Sequence, residues 1–215
     1  PSIEMGEYKT KTLSNGLQVI VVENHKLPRV SFQLYIDRQP VQERDKAGYS
    51  SMTGSLLAAG TTSRSKAEID EAVDFIGARL STSSRGAYAS ALSQHKETLL
   101  EIMSDVIINP SFPEEEFEKI KKQTLSGLAA SKNNPNAIAS NIRSMINFGK
   151  DHPYGEFSTE STVENISLKE CKNFYKLMFR PVYSYLVVVG DITEADAYQL
   201  AEKYFGSWTG EEGME

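Results

Sequence analysis

The sequence predicts an α+β domain, a mixed and mostly antiparallel β-sheet with several helices packed on it. Three observations carry this. Two short alternating segments near the start are joined by Asn15-Gly16, a hairpin signal. Several long windows then repeat apolar residues at helical spacing and carry their own start and stop residues. Late in the chain, Tyr185 to Val189 is a continuous apolar run of strand length, which reads as a central strand.

Tyr8 to Leu13 and Leu17 to Val22 are the hairpin strands, and Val30 to Asp37 is a third, with Val30, Phe32, Leu34 and Ile36 on one face. Arg38 to Asp45 is a polar connection. Gly48 to Thr61 reads as one buried helix capped by Gly60. Ser65 and Glu68 form a capping box for the next helix, with Ile69, Val73, Phe75 and Ile76 as its apolar positions and Gly77-Ala78 ending it. Arg79 to Arg85 and Ala87 to Gln94 pair as strands, the first polar on one side like an edge strand or one facing a groove. Lys96 to Ile108 is amphipathic and stops at Asn109-Pro110. Pro113 and the acidic Glu114, Glu115 and Glu116 open a helix in agreement with its dipole. Its apolar positions run through Phe117, Ile120, Leu125 and Leu128, and it frays near Asn133-Asn134-Pro135. A helix over Asn136 to Phe148 follows, then a loop from Asp151 to Phe157. Ser167 and Glu170 begin a helix that reaches Met178. After the strand Tyr183 to Val189, a last helix covers Asp191 to Phe205 and Trp208 anchors the end.

Of the 215 residues, 40% are hydrophobic and 24% charged, enough for one large domain. The net charge of −6 argues against nucleic acid as the main partner. No apolar run approaches the roughly 20 residues a membrane span needs. Cys171 is the lone cysteine, which excludes an internal disulfide and leaves too few thiolates for a structural zinc site. The chain starts at Pro1, and the expectation is a processed or trimmed piece.

The segment that calls for a function is Gly48 to Thr61. Its middle, Ser50, Ser51, Thr53, Gly54 and Ser55, is small and mostly polar, and glycine inside a helix costs about 1 kcal/mol relative to alanine. Small residues on a core helix let another backbone or a ligand come close, or they remain where larger functional side chains once stood. No positioned histidine or lysine base is visible in the sequence near the serines, so a serine nucleophile has little support. His25 and His95 lack a second histidine or a glutamate at helical spacing, His152 belongs to the Asp151 to Phe157 loop, and each reads as a solvated or hydrogen-bonded ring.

A set of signposts runs nearly end to end: Leu13-Ser14-Asn15-Gly16-Leu17, Ala58 to Thr61, Gly77-Ala78, Asn109-Pro110-Ser111-Phe112, His152-Pro153-Tyr154-Gly155, Phe174-Tyr175 with Arg180-Pro181, and Val189-Gly190-Asp191. In this order and spacing the chain resembles one domain of the pitrilysin/insulinase zinc peptidases, a family that includes the mitochondrial processing peptidase and the core proteins of the respiratory cytochrome complex. The resemblance implies that fold for residues 1–215, as the N-terminal half of a longer two-domain chain. In the family, H-x-x-E-H on the first helix supplies two zinc ligands and a general base, and a glutamate on a later helix completes the set. Counting back from Gly60-Thr61 places the histidine positions on Ser51 and Ser55 and the base on Gly54. Counting back from Asn134-Pro135 places the later ligand at Gly127. All four groups are missing, so the resemblance implies no catalytic residues, no metal and no cofactor. It implies a non-catalytic partner of a zinc-bearing subunit or domain, helping to enclose a peptide that adds as a strand beside Leu80, Ser81, Thr82 and Ser83. A structural module without a proteolytic role and an active peptidase with other ligands are the alternatives. So is the plain reading of that edge as polar to resist aggregation. A bacterial cell-envelope setting is the expected compartment.

Overall fold

The computed structural model describes residues 7–210. One six-stranded sheet organises them: β1 (Lys9–Thr12), β2 (Gln18–Glu23), β3 (Arg29–Ile36), β4 (Arg79–Ser83), β5 (Gly86–Leu92) and β6 (Ser184–Gly190), in the order β1-β2-β6-β3-β5-β4. All neighbours are antiparallel except β2 and β6. The helices are α1 (Tyr49–Leu56), α2 (Lys66–Phe75), α3 (Lys96–Ile108), α4 (Glu114–Ser131), α5 (Pro135–Phe148), α6 (Glu160–Glu164), α7 (Leu168–Met178) and α8 (Glu194–Phe205).

Alternation in the strands builds the core. Val19, Val21, Val30, Phe32, Leu34, Ile36, Leu186 and Val188 point to one buried face. β5 contributes only Ala87, Ala89 and Ala91 to that face, and α3 packs there with Leu99, Leu100, Met103, Val106 and Ile107. Each large side chain buried this way contributes roughly 1.5–3 kcal/mol. The other face of the sheet is more open. β6 is central in order, yet Tyr185, Val187 and Val189 stay only half-buried while Leu186 and Val188 are enclosed.

Most elements fall within a residue or two of their sequence assignments, and the departures have local causes. The helix expected over Gly48–Thr61 is α only to Leu56 and continues as a 3-10 turn over Leu57–Ala59. Gly60 follows at φ 150° and ψ 149°, outside the left-handed cap conformation, because the chain there forms bridges Gly60–Ser65 and Thr61–Pro110 instead. Phe75, expected inside, is 89% exposed, since α2 presents Ile69 to the core and turns Phe75 outward. The short α6 had no apolar period to announce it. Asn15 does more than turn the first hairpin: its side-chain amide donates to the carbonyls of Phe205 (2.7 Å) and Trp208 (2.8 Å), tying the hairpin to the end of α8.

Two polar locks hold the segments around α1. Asp105 on α3 accepts from Thr61 (2.7 Å), Ser63 (2.9 Å), Arg64 (2.8 Å) and Asn109 (3.0 Å), fixing the Gly60–Arg64 loop. Burial alone would raise the Asp105 pKa, but these donors outweigh it and hold it below the ordinary value. Glu170 on α7 accepts from Lys46 (2.6 Å) and from the Ser167 N–H (2.9 Å), and despite partial burial its pKa is drawn down to about 2.

α1 also sits directly against β4. A Cβ built at Gly54 would lie 2.5 Å from the backbone carbon of Ser83 and 2.5 Å from the nitrogen of Ser84. Only glycine permits this approach. Gly127 on α4 has nothing within 4 Å of its own Cβ position. Replacing Gly54 by alanine is therefore expected to destabilise the protein by about 1–3 kcal/mol through overpacking. Gly127→Ala should instead stabilise it by about 0.5–1 kcal/mol through helix propensity. Urea unfolding of the two variants checks the pair, and equal effects would contradict the packing.

At the far end of the sheet, His25 in the β2–β3 turn contacts Asp191 through Nδ1 (2.7 Å) and Glu23 through Nε2 (3.1 Å), while Ser93 donates to Asp191 (2.7 Å). The Asp191 contact first, and the Glu23 contact second, raise the His25 pKa above 6.5. Its contribution to stability is thus fully present below 6.5 and is lost as pH rises through the raised folded value. An NMR titration should place His25 above 6.5 in the native protein and lower in Asp191→Asn. The stability gap between the native protein and His25→Gln should close as the pH is raised.

Candidate functional site

The N-terminus of α1 is organised by glutamates. Glu43 accepts from the Gly48 N–H (2.6 Å), the Ser50 N–H (3.4 Å) and the Ser50 hydroxyl, satisfying donors that the first helical turn leaves free. Glu156 in turn accepts from the backbone of Glu43 (2.7 Å) and Arg44 (2.8 Å). On the side facing α7, Tyr49 packs edge-on against Phe174 (5.7 Å), and Thr53 donates to the Tyr49 carbonyl (2.8 Å) and, at 3.4 Å, to that of Cys171. Burial, with Glu43 adding to it, pushes the Tyr49 phenol up to about 12. Burial likewise pushes the Cys171 thiol to about 11, so Cys171 is protonated and serves packing, as its helical position implied.

The opposite side of α1 meets the sheet edge. Gly54 is buried against β4, whereas Ser51 and Ser55, one turn apart, are exposed. The Ser55 hydroxyl donates to the Ser51 carbonyl (3.3 Å). β4 is the last strand in the order, so its outer backbone edge has no strand partner. Leu80 and Thr82 are half-buried on the helix side, and Ser81 and Ser83 are exposed. The structure thus brings Gly54 to β4 directly, and it leaves Ser51 and Ser55 on a separate, outward line of α1. Gly127 lies on an exposed side of α4, a helix that also packs on α1.

Two cavities flank the free edge. One of about 640 Å³ adjoins its Arg79 end, floored by Ala58, Ile69, Val73 and Leu80 with Asp70 and Asp74 at the rim. The other, about 200 Å³, adjoins Ser84 and Arg85 and is lined by Val41, Ser50, Tyr154, Phe174 and Met178. Arg85 is held in place by donating to the Arg38 carbonyl (2.7 Å) and lying 5.6 Å over the Tyr35 ring.

Zinc does not fit this donor set. A tetrahedral site needs imidazole, thiolate or carboxylate ligands, and the four assigned positions offer two neutral hydroxyls and two glycines. Among the described residues no group of three or more His, Cys, Asp or Glu side chains is placed to hold a metal ion. His25 is engaged by Glu23 and Asp191, His95 lies 3.0 Å from the Gln94 amide, and His152 stacks on Phe148 (5.6 Å). The Ser50 hydroxyl is tied to Glu43 and that of Ser55 to a backbone carbonyl, which leaves neither paired with a histidine or lysine. The Glu43 cap and the Arg85 clamp were not visible to sequence reasoning. Glu43 stands five residues before Gly48, outside capping-box spacing, and the Arg85 carbonyl partner is 47 residues away in the chain.

Residues 18–154 match the family model for insulinase (peptidase family M16), and residues 165–213 match the model for the peptidase M16 inactive domain. An uncharacterized zinc protease of Bacillus subtilis, YmxG, is 23% identical over 207 residues, covering 93% of this chain and 50% of that protein. Subunit 1 of the mitochondrial cytochrome b-c1 complex of Caenorhabditis elegans is 24% identical over 206 residues, covering 93% of this chain and 43% of that protein. The solved peptidase M16 inactive domain from Pseudomonas fluorescens superposes with a TM-score of 0.84 at 23% identity, covering 97% of this chain and 52% of that one. The chain spans about half the length of these relatives. Among the described residues, no helix is long and apolar enough to cross a membrane. With matching family models over most of its length and the same strand-and-helix architecture, the chain belongs to peptidase family M16, the insulinase family.

Proposed function

We propose that this chain is a non-catalytic M16 domain that works beside a zinc-bearing domain of the same family, helping to enclose and position a peptide. One observation carries the reading: position 54, which the family resemblance assigns to the general base, has backbone where the base would need a side chain. The loss is therefore built into the packing of α1 on β4, beyond the substitution of ligands. The flanking positions, Ser51 and Ser55, are filled by hydroxyls that bind zinc poorly at neutral pH.

The scaffold that would receive a peptide is retained. The outer edge of β4, Leu80 to Ser83, offers unpaired backbone groups between two cavities, the arrangement an added strand requires. The zinc-bearing half would supply hydrolysis, and this half the facing wall and part of the grip. Residues 1–215 act in this reading as one family domain beside a second, in keeping with relatives about twice the matched length. A purely structural role has one observation in its favour, the similarity to a cytochrome b-c1 subunit.

Mixing the protein with a relative carrying H-x-x-E-H separates the two. The proposal predicts a stable complex and faster peptide cleavage than the relative shows alone. A complex that leaves cleavage unchanged favours the structural role. Absence of any complex, or stoichiometric zinc bound by this chain alone, contradicts the proposal.

A further inference from the structure

α5 stands apart from the rest of the fold. None of its 14 residues is buried. Ile138, Ile142, Met145 and Ile146, at i, i+4, i+7 and i+8, form an apolar stripe along one side, with exposures from 38% to 75%. The stripe runs into Phe148, which packs with His152 and Tyr154 at 5.3–5.6 Å. Tyr154 also lines the cavity beside Ser84 and Arg85, so this surface is continuous with the candidate site. Of the fifteen large apolar residues exposed among those described, seven lie between Ile138 and Phe157. Scattered exposed apolar residues are ordinary, but a concentration on one helix marks a contact surface.

Its charge narrows the occupant. From Lys119 to Lys150 the chain has six Lys or Arg and no Asp or Glu, in a protein whose net charge is −6. Lys119, Lys121 and Lys132 are engaged by Glu116, by the carbonyls of Glu164 and Ile166, and by Glu160. Among the described residues Arg143 on α5 and Lys150 just after it make no ion pair, so positive charge without an ion-pair partner accompanies the apolar stripe. The relatives and the superposed structure carry about as much chain again beyond the matched part.

We propose that the α5 stripe is the surface through which this domain docks onto the zinc-bearing M16 domain, meeting an apolar patch with an acidic rim. The inference rests on the proposed function and assigns its interface. The stripe buries against the partner, and Tyr154 carries the contact to the wall of the cavity at Arg85.

The test uses the protein and an H-x-x-E-H relative, with complex formation followed by analytical ultracentrifugation. Ile142→Ser and Ile146→Glu change exposed side chains, so circular dichroism and urea midpoints should stay native. Each is expected to weaken the complex at least tenfold, whereas Leu27→Ser, an exposed apolar residue of the β2–β3 turn, should leave it intact. A complex indifferent to both α5 variants overturns the interface and leaves the proposed function standing. Failure to form a complex overturns both. Self-association of the chain alone, or binding to anionic vesicles, abolished by Ile146→Glu while the complex with the relative is unaffected, also overturns the assignment.

Discussion

The structure depends on a close approach. α1 lies on the last strand of the sheet with its backbone separated from Ser83 and Ser84 by no side chain at all, and Gly54 is the residue that permits it. Protein interiors are packed too tightly for such a contact to be relaxed locally. Opening room for a carboxylate at this position means moving α1, and α1 is pinned on every side. Glu43 holds its first turn, Thr53 and Tyr49 bind it to α7, and the Asp105 cluster fixes the loop that leaves it. The small polar residues of the helix are consistent with this geometry. Gly54 among them lets the backbones of α1 and the β4 end meet.

The same packing is held by residues outside the positions that the family resemblance assigns to catalysis. The residues that place α1 are distinct from those the family uses for catalysis: a glutamate before the helix, an aspartate on α3, and apolar contacts to α7. The sheet edge is likewise independent of zinc. β4 is held by its pairing with β5 and by α1, and its free side carries backbone groups with no strand partner.

Local signals made much of this legible in the sequence. The Asn15-Gly16 turn, the Ser65/Glu68 box, the stop at Asn109-Pro110 and the polar alternation of Arg79 to Ser83 each depend on neighbouring residues, and each stands where expected. Features that depend on distant partners were not legible. Phe75 follows the apolar period of α2 yet faces solvent, because the orientation of that helix is set by its contacts with α3 and β4. Gly60 sits after the last apolar residue like a cap, yet pairing with Ser65 decides its conformation. In the candidate site, the smallness of Ser50, Ser51, Thr53, Gly54 and Ser55 was plain from sequence, while the reason for it at Gly54 appears only when β4 is placed. The helix α5 was readable from sequence, but the exposure of its apolar side was not.

The most direct measurement is peptide cleavage in the presence of zinc by the quadruple variant S51H/G54E/S55H/G127E, which restores every position the family resemblance assigns, read beside the triple variant S51H/S55H/G127E. The account predicts that adding glutamate at position 54 lowers the urea midpoint relative to the triple variant and yields no hydrolysis. A quadruple variant that keeps the midpoint, binds one zinc and cleaves peptide would show that α1 and β4 leave room for the base, and would contradict the account.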